Sequence, residues 1–359
     1  MKLLNPGPVT LTARVRAALQ KDDLCHREPE FAELTKTVMK KIARVYPAAE
    51  KTYVPVLLTG SGTAAVEAML GSLVPKGPAK KTLVVANGVY GDRAAAMLNA
   101  QGKNCEVVAS AWTEPMNLEA VEKSLATGHF GHVFAVHHET TTGRLNDIDA
   151  LGKLCVQYSV PMLLDAVSSF GGETIRFEEW NLEACAATAN KCLHGVPGIA
   201  FVVVRNDVFG NRTTGATTVY LDLFRYQKEQ EKGFSPYTQS VQVMYALDEA
   251  LSELEDEGGA QARQELYAAR SKAVREGLFA LGIETFLGDP AVYGTTLTSF
   301  RLPANLPYEK LHKSMKDNGF IIYAGQGPFQ GQLFRIAVMG DLSGSDLEAV
   351  VGIVRSSLS

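Results

Sequence analysis

The sequence predicts an α/β protein with a mainly parallel seven-stranded sheet in a large domain, followed by a small α+β domain. Three observations support this prediction. Short apolar runs alternate with helix-length segments over most of the 359 residues. Several of these runs are continuously hydrophobic, which is typical of parallel strands buried on both faces. Near residue 245 the alternation gives way to paired strand-like segments and short helices.

Each strand of the large domain is predicted from an apolar run that ends at turn-forming residues. The seven strands are Tyr53–Leu58, Thr82–Ala86, Cys105–Val108, His132–Val136, Val160–Leu164, Ala184–Thr188 and Ile199–Val204. The intervening segments are long enough to form crossover helices between parallel strands. The predicted helices are Thr63–Leu73, Asp92–Gln101, Leu118–Ala126 and Asp149–Tyr158.

A charged helical stretch, Gln242–Leu281, leads into the small domain and is broken by Glu257-Gly258-Gly259. Beyond it we predict strands at Thr295–Leu302, Phe320–Ala324 and Leu333–Met339, and helices at Tyr308–Asp317 and from Ser345. We therefore divide the chain into residues 1–250 and 251–359, and expect the two domains to pack together.

Composition excludes several classes of protein. The 35 Lys and Arg residues nearly balance 39 Asp and Glu residues, so no basic surface for nucleic acid is expected. No apolar run is long enough to span a membrane, and Pro6-Gly7-Pro8 interrupts any signal-peptide core. The five scattered cysteines predict free thiols in a reducing cytoplasm, with neither disulfides nor a zinc site. The scattered histidines predict no metal site of any other kind.

Two segments at predicted strand ends are suited to binding a ligand, because ligands of open α/β sheets lie at the carboxyl edge. Thr59–Ala65 is rich in small residues and precedes a helix, so it is either a phosphate-binding turn or a structural turn. In Ala86–Gly91, Tyr90 is suited to stack on a planar ring, or else to cover the core.

Two further strand ends carry charged residues. Asp165 follows an apolar strand, either as a functional carboxylate or as a helix cap. Lys191 lies between two apolar strands, either as a desolvated amine able to form a Schiff base or as a lysine that reaches solvent. Together, a phosphate site, an amine, a carboxylate and an aromatic ring match the needs of pyridoxal phosphate.

The motifs resemble those of the class V aminotransferases of fold type I, in the same order along nearly the whole chain. The matching stretches are Asn5–Pro8, Leu58–Gly62, Asn87–Gly91, His138–Gly143, Asp165–Gly172, Ala189–Gly198 and Phe334–Ile336. Within this family the strings around Lys191 and at Glu139–Gly143 are most similar to the phosphonate branch. The resemblance implies transfer of the amino group of 2-aminoethylphosphonate to pyruvate.

The resemblance also implies a role for each matching residue. Lys191 would bind the cofactor covalently, and Asp165 would pair with its pyridine nitrogen. Val167 and Tyr90 would pack on the two faces of the ring, and Thr140 would bind its 3′-oxygen. The other implied binding residues are Ser61, Gly62, Thr63 and Asn190 at the phosphate, Thr238 from a neighbouring subunit of a homodimer, and Arg335 and Gly7 for substrate. Residues 1–20 would lie near the active site.

One segment departs from the phosphonate branch. Cys25–Phe31 resembles the corresponding segment of alanine–glyoxylate and serine–pyruvate aminotransferases, which keeps such an enzyme as the alternative. A cysteine desulfurase would need a nucleophilic cysteine in the loop Gly325–Gln332, and this loop has none. A non-catalytic regulator would need a DNA-binding extension, for which the sequence gives no sign.

Overall fold

The structure is a computed structural model that describes residues 1–77 and 80–358. Its strands are β1 (Lys2–Leu3), β2 (Tyr53–Gly60), β3 (Lys81–Ala86), β4 (Cys105–Ala109), β5 (Phe130–Val136), β6 (His138–Glu139), β7 (Arg144–Leu145), β8 (Met162–Asp165), β9 (Leu182–Thr188), β10 (Gly198–Arg205), β11 (Leu297–Arg301), β12 (Phe320–Ile321), β13 (Tyr323–Ala324) and β14 (Leu333–Ala337). Its α-helices are α1 (Ala13–Ala18), α2 (Pro29–Arg44), α3 (Gly62–Leu73), α4 (Val89–Ala100), α5 (Leu118–Leu125), α6 (Ile148–Gln157), α7 (Asp207–Asn211), α8 (Leu223–Gln230), α9 (Val241–Asp256), α10 (Gly259–Phe279), α11 (Tyr308–Asp317) and α12 (Gly344–Leu358).

The seven-stranded sheet has the order β2-β10-β9-β8-β5-β3-β4. All neighbouring strands are parallel except β10, which is antiparallel to both β2 and β9. Residues 189–197 join β9 to β10 without a helix, which is too short a connection for a parallel crossover. The mainly parallel sheet is therefore confirmed. The turn that contains Lys191 lies at the carboxyl edge of β9, and the reversed strand β10 begins at that same edge.

The continuous apolar runs are explained by burial of both faces of this sheet. Alternate residues of β10 point to opposite sides, so Phe201 joins one core cluster and Val202 the other. The first cluster also contains Leu34 of α2 and Leu247 of α9. The second contains Val66 of α3, together with side chains of α4 and α8.

A separate core cluster surrounds the antiparallel sheet β11-β14-β13 and includes residues of α10, α11 and α12. The N-terminal segment joins it, because β1 pairs with β12 and Leu4 is buried there. The division at residue 250 falls within α9 and stays a prediction. In the two described stretches, none of the helices combines the length and apolarity that crossing a bilayer requires.

Candidate active site

A cavity of about 200 Å³ lies at the carboxyl edge of the sheet. It is lined by eight of the residues singled out from the sequence: Ser61, Gly62, Thr63, Tyr90, Asp165, Val167, Asn190 and Lys191. These residues come from four segments that are distant in the chain, and each segment lies at the carboxyl end of a strand of the sheet, namely β2, β3, β8 or β9. The structure therefore brings these strand ends together around one cavity.

Lys191 lies in the turn that follows β9. Its Nζ donates a hydrogen bond to the backbone oxygen of Pro6, which brings the N-terminal segment into the site. Gly7 has φ +126°, and a Cβ there would lie 2.6 Å from Cδ of Lys191, so only glycine fits. Burial lowers the pKa of Lys191 to about 8, although the charge of Asp165 acts in the opposite direction.

Asp165 is the last residue of β8, and its Oδ1 accepts a hydrogen bond of 3.0 Å from the Val167 backbone N–H. Burial raises the pKa of Asp165 to about 6, while that hydrogen bond and the charges of Lys191 and Arg93 act to lower it. The carboxyl group is therefore ionised above about pH 6 and faces the same cavity as Lys191.

The N-terminus of α3 forms another wall of the cavity. Ser61 is the N-cap residue, and its side chain makes no capping hydrogen bond. The first N–H groups of a helix have no acceptor within the helix, and they favour an anion. A Cβ on Gly62 would lie 2.7 Å from Cγ1 of Val167, so the glycine allows the helix end and this side chain to meet.

The backbone of Tyr90 is bound by Glu139, a residue to which the sequence analysis assigned no role. The N-cap of α4 is Gly88, which has no side chain, and the buried Glu139 carboxylate instead accepts a hydrogen bond of 3.2 Å from Tyr90 N. Burial raises the pKa of Glu139 to about 7. Arg93 covers the Tyr90 ring, with its guanidinium carbon 4.9 Å from the ring centre.

Arg335 and Thr140 lie beside the cavity rather than in its lining. Arg335 is 2% exposed and donates to the backbone oxygens of Thr140 at 2.9 Å and Ala324 at 3.0 Å. Its Nη1 also contacts Gln326, whereas none of its hydrogen bonds to described residues uses Nη2. Thr140 Oγ1 is 3.4 Å from the Tyr90 hydroxyl, which links Arg335 to the aromatic wall.

Two segments singled out from the sequence do not reach this cavity within the chain. Thr238 is exposed and absent from the lining. No residue of the stretch Cys25–Phe31 lines the cavity either, and Phe31 is buried in the core instead. Conversely, the cavity includes Arg93 and His138, which had no assigned role. Arg93 follows Tyr90 by three residues on α4, a spacing that places both on one helix face and was visible in the sequence.

His138 has a structural environment. Its ring nitrogens lie 3.3 Å from the oxygen of Ser168 and 3.2 Å from the oxygen of Gly143. Burial lowers its pKa to about 4, so the ring is neutral at physiological pH.

Comparison with known proteins places this geometry in a family context. A family model described as aminotransferase class-V matches residues 14–358. The 2-aminoethylphosphonate–pyruvate transaminase of Lactiplantibacillus plantarum is 34% identical over 358 residues, covering 98% of this chain and 96% of that protein. A bifunctional phosphonoacetaldehyde hydrolase/aminoethylphosphonate transaminase of Clostridioides difficile is also 34% identical, covering 99% of this chain but 56% of that protein.

Among solved structures, the alanine–glyoxylate aminotransferase of Nostoc sp. superposes with a TM-score of 0.91. The two chains are 23% identical, and the superposition covers 99% of this chain and 95% of that one. At this identity the likeness concerns the fold, and it confirms the predicted fold class.

Proposed function

This chain belongs to the class-V aminotransferase family, and we propose that it transfers the amino group of 2-aminoethylphosphonate to pyruvate, giving phosphonoacetaldehyde and alanine. The observation that carries the proposal is the convergence of an amine, a carboxylate and a helix N-terminus in one cavity. The name of the full-length relative from Lactiplantibacillus plantarum supports the choice of substrates.

The residues present fit pyridoxal phosphate. The uncapped N-terminus of α3 suits its phosphate, and Asp165 suits a protonated pyridine nitrogen at the far end of a planar ring. Val167 and Tyr90 both line the same cavity, and they are assigned to the two faces of that ring. Because Arg93 covers the Tyr90 ring, a planar ligand would stack on the face that Arg93 leaves free.

When bound, the cofactor accepts the electrons left when the substrate loses a proton from the carbon that carries its amino group. Lys191 has two tasks in this scheme. Its lowered pKa provides a neutral amine near pH 8 that can bind the cofactor's aldehyde carbon. When it is not bound to the cofactor, the same Nζ would be placed to accept and hold the proton that the substrate carbon loses.

Asp165 and Thr140 set the charge and orientation of the ring. The Asp165 carboxylate, ionised above about pH 6, would stabilise a protonated pyridine nitrogen. The Thr140 hydroxyl lies beside the Tyr90 hydroxyl and is assigned to the 3′-oxygen of the cofactor. Ser61, Gly62 and Thr63 are assigned to the phosphate because they form the N-terminal end of α3 in the cavity wall, and Asn190, which lines the same cavity, is assigned beside them.

Arg335 is assigned to the acidic group of the substrate. Two backbone carbonyls fix its guanidinium, and Nη2 is left to bind an oxygen of a phosphonate or carboxylate. Gly7 lies against Lys191, so the N-terminal segment would exclude water from the amine during the reaction.

A homodimer would complete the phosphate site. Within one chain Thr238 is exposed and does not line the cavity. It lies close in sequence to Tyr237, whose hydroxyl donates to the Val219 oxygen, and Val219 is itself 64% exposed. The next residue, Tyr220, is 43% exposed, and its ring centre lies 5.1 Å from that of Tyr237, so Val219 and Tyr220 form an exposed apolar patch next to the Thr238 segment, which supports a partner surface there. We assign Thr238 to the phosphate of the partner's cofactor.

The test is a half-reaction followed by absorbance. Purified protein with pyridoxal phosphate is mixed with 2-aminoethylphosphonate in the absence of a keto acid. We expect the visible band of the aldehyde form to be replaced by the near-ultraviolet band of the amine form, and pyruvate to restore it. If the phosphonate leaves the visible band unchanged, the substrate assignment is wrong.

The alternative is an alanine- or serine-dependent aminotransferase that uses glyoxylate or pyruvate, which the segment Cys25–Phe31 favours. Alanine does not discriminate, because it is the amino form of pyruvate and should convert the band under both assignments. Serine does discriminate: if serine converts the band and the phosphonate does not, the alternative is correct.

A further inference from the structure

The loop that carries Lys191 is held by the first turns of α10. The backbone oxygen of Cys192 lies 2.8 Å from Nη1 of Arg263, which donates to it, and 3.3 Å from the Tyr267 hydroxyl. Arg263 and Tyr267 are fully buried and four residues apart, so they share one face of the helix. The peptide after Lys191 is thus fixed by two side chains from a distant part of the chain.

The break between α9 and α10 supplies the charged partner that the buried Arg263 guanidinium needs. Gly258 has φ +100° and turns the chain, so that Glu257 accepts a hydrogen bond of 2.7 Å from Nε of Arg263. A buried guanidinium needs such a partner to offset the loss of its hydration. The Glu257-Gly258-Gly259 motif therefore serves the residue that holds the Lys191 loop.

His194 extends the same contact to the strand that carries Arg335. It has φ +62°, a left-handed conformation that residues other than glycine seldom adopt. Its Nε2 accepts a hydrogen bond of 2.8 Å from the backbone N–H of Gly340 and lies 2.5 Å from the Tyr267 hydroxyl. Gly340 follows β14, the strand of Arg335, by three residues.

We propose that Arg263 and Tyr267 are positioning residues for Lys191. They fix the position of the Lys191 loop relative to the end of β14, so that the distance between the Lys191 amine and the Arg335 guanidinium stays constant. This inference rests on the proposed function, because it takes Lys191 as the cofactor-binding amine. An error of about 1 Å in such a placement can cost about 100-fold in rate.

The test compares two substitutions that each remove one buried tyrosine hydroxyl. Tyr267→Phe removes the contacts with His194 and Cys192, whereas Tyr53→Phe removes a hydrogen bond of 2.8 Å to the Leu182 oxygen at the opposite end of the sheet. For each holoprotein the pH titration of the visible absorbance band, kcat, KM and Tm are measured. Arg263→Lys is a second variant that keeps the charge beside Glu257 but not the shape of the donor.

We expect both tyrosine variants to lower Tm by similar small amounts. Only Tyr267→Phe should lower kcat, by about tenfold, with KM changed less than about twofold, and only it should displace the midpoint of the absorbance titration. Arg263→Lys should show the same changes. The inference is overturned if the titration and kcat of Tyr267→Phe and Arg263→Lys match those of Tyr53→Phe. Failure of the proposed function would show differently, in the wild-type protein itself, as the absence of a visible band or as a visible band that 2-aminoethylphosphonate leaves unchanged.

Discussion

The two ends of helix α3 provide an instructive comparison, because each has a buried lysine with a lowered pKa. At the N-terminus, Lys191 shares a cavity with Ser61 and Asp165. At the C-terminus, Lys103 is 2% exposed, and burial with the nearby charge of Lys76 lowers its pKa to about 8, the same value as for Lys191.

The surroundings of the two amines differ completely. Nζ of Lys103 donates to three backbone oxygens, those of Gly71, Val74 and Gly215, which uses all three of its protons. These acceptors include the unpaired carbonyls at the end of the helix, where a cation is favourable. Lys103 therefore has a structural role at the C-terminal end of α3, whereas Lys191 lines a cavity that it shares with the ionisable Asp165. A lowered pKa marks a reactive lysine only where the geometry leaves room for a ligand.

The largest effect should follow removal of the amine at the N-terminal end. We expect Lys191→Ala to lower kcat by at least about 10³-fold, because both the covalent attachment and the proton transfer are lost. The visible absorbance band should disappear while circular dichroism stays unchanged. Residual activity within tenfold of wild type would contradict the reactive role of Lys191 and thus its contrast with Lys103.

Removal of the lysine at the other end should affect stability instead. Lys103→Met leaves three buried carbonyl groups without a donor, and we expect the free energy of unfolding to fall by about 2–4 kcal/mol. Urea titration measures this, with the exposed Lys123→Met as the matched control, for which less than about 0.5 kcal/mol is expected. A loss as small as that of the control would contradict the structural role of Lys103.

A smaller effect is expected at the substrate end of the site. Arg335→Lys keeps the charge but cannot hold both carbonyls and a substrate oxygen, so kcat/KM should fall about 10- to 100-fold. The spectrum of the bound cofactor should stay unchanged, because Arg335 does not line the cavity. A changed spectrum with unchanged kcat/KM would place Arg335 at the cofactor instead.

The smallest effect is a dependence on pH. Only the neutral form of Lys191 can bind the cofactor, so the rate at which cofactor-free protein recovers its visible band should rise as pH increases through the pKa. With a pKa of about 8, the neutral fraction and the rate increase about tenfold between pH 7 and pH 9 and level off above it. A rate that still rises steeply at pH 10 would indicate an ordinary lysine.

The comparison also shows what the sequence could predict. Lys191, Asp165, Tyr90 and Ser61 each lie at the end of a strand or within four residues after it, so local patterns pointed to one edge of the sheet for all of them. Contacts between distant segments had no such signal. The hydrogen bond from Lys191 to Pro6 and the three acceptors of Lys103 depend on the tertiary fold.

The direction of β10 was not predicted from its apolar pattern, although the short gap between the predicted strands Ala184–Thr188 and Ile199–Val204 already indicated it. The apolar run of β10 correctly predicted burial on both faces, but burial is the same for either direction. Its reversal follows from the short connection through the Lys191 turn. The role of Glu139 was missed because it depends on the tertiary fold. Its carboxylate accepts a hydrogen bond from the Tyr90 backbone N–H at the start of α4, and no local sequence pattern indicates a carboxylate that caps a distant helix.

The most direct test of the central claim is to locate the cofactor on the chain. Protein loaded with pyridoxal phosphate is treated with borohydride, which fixes the bond between cofactor and lysine, and the modified peptide is identified by mass spectrometry. The claim predicts one modified residue, Lys191, with Lys103 unmodified despite its equally lowered pKa. Modification of Lys103, or of no lysine, would contradict it.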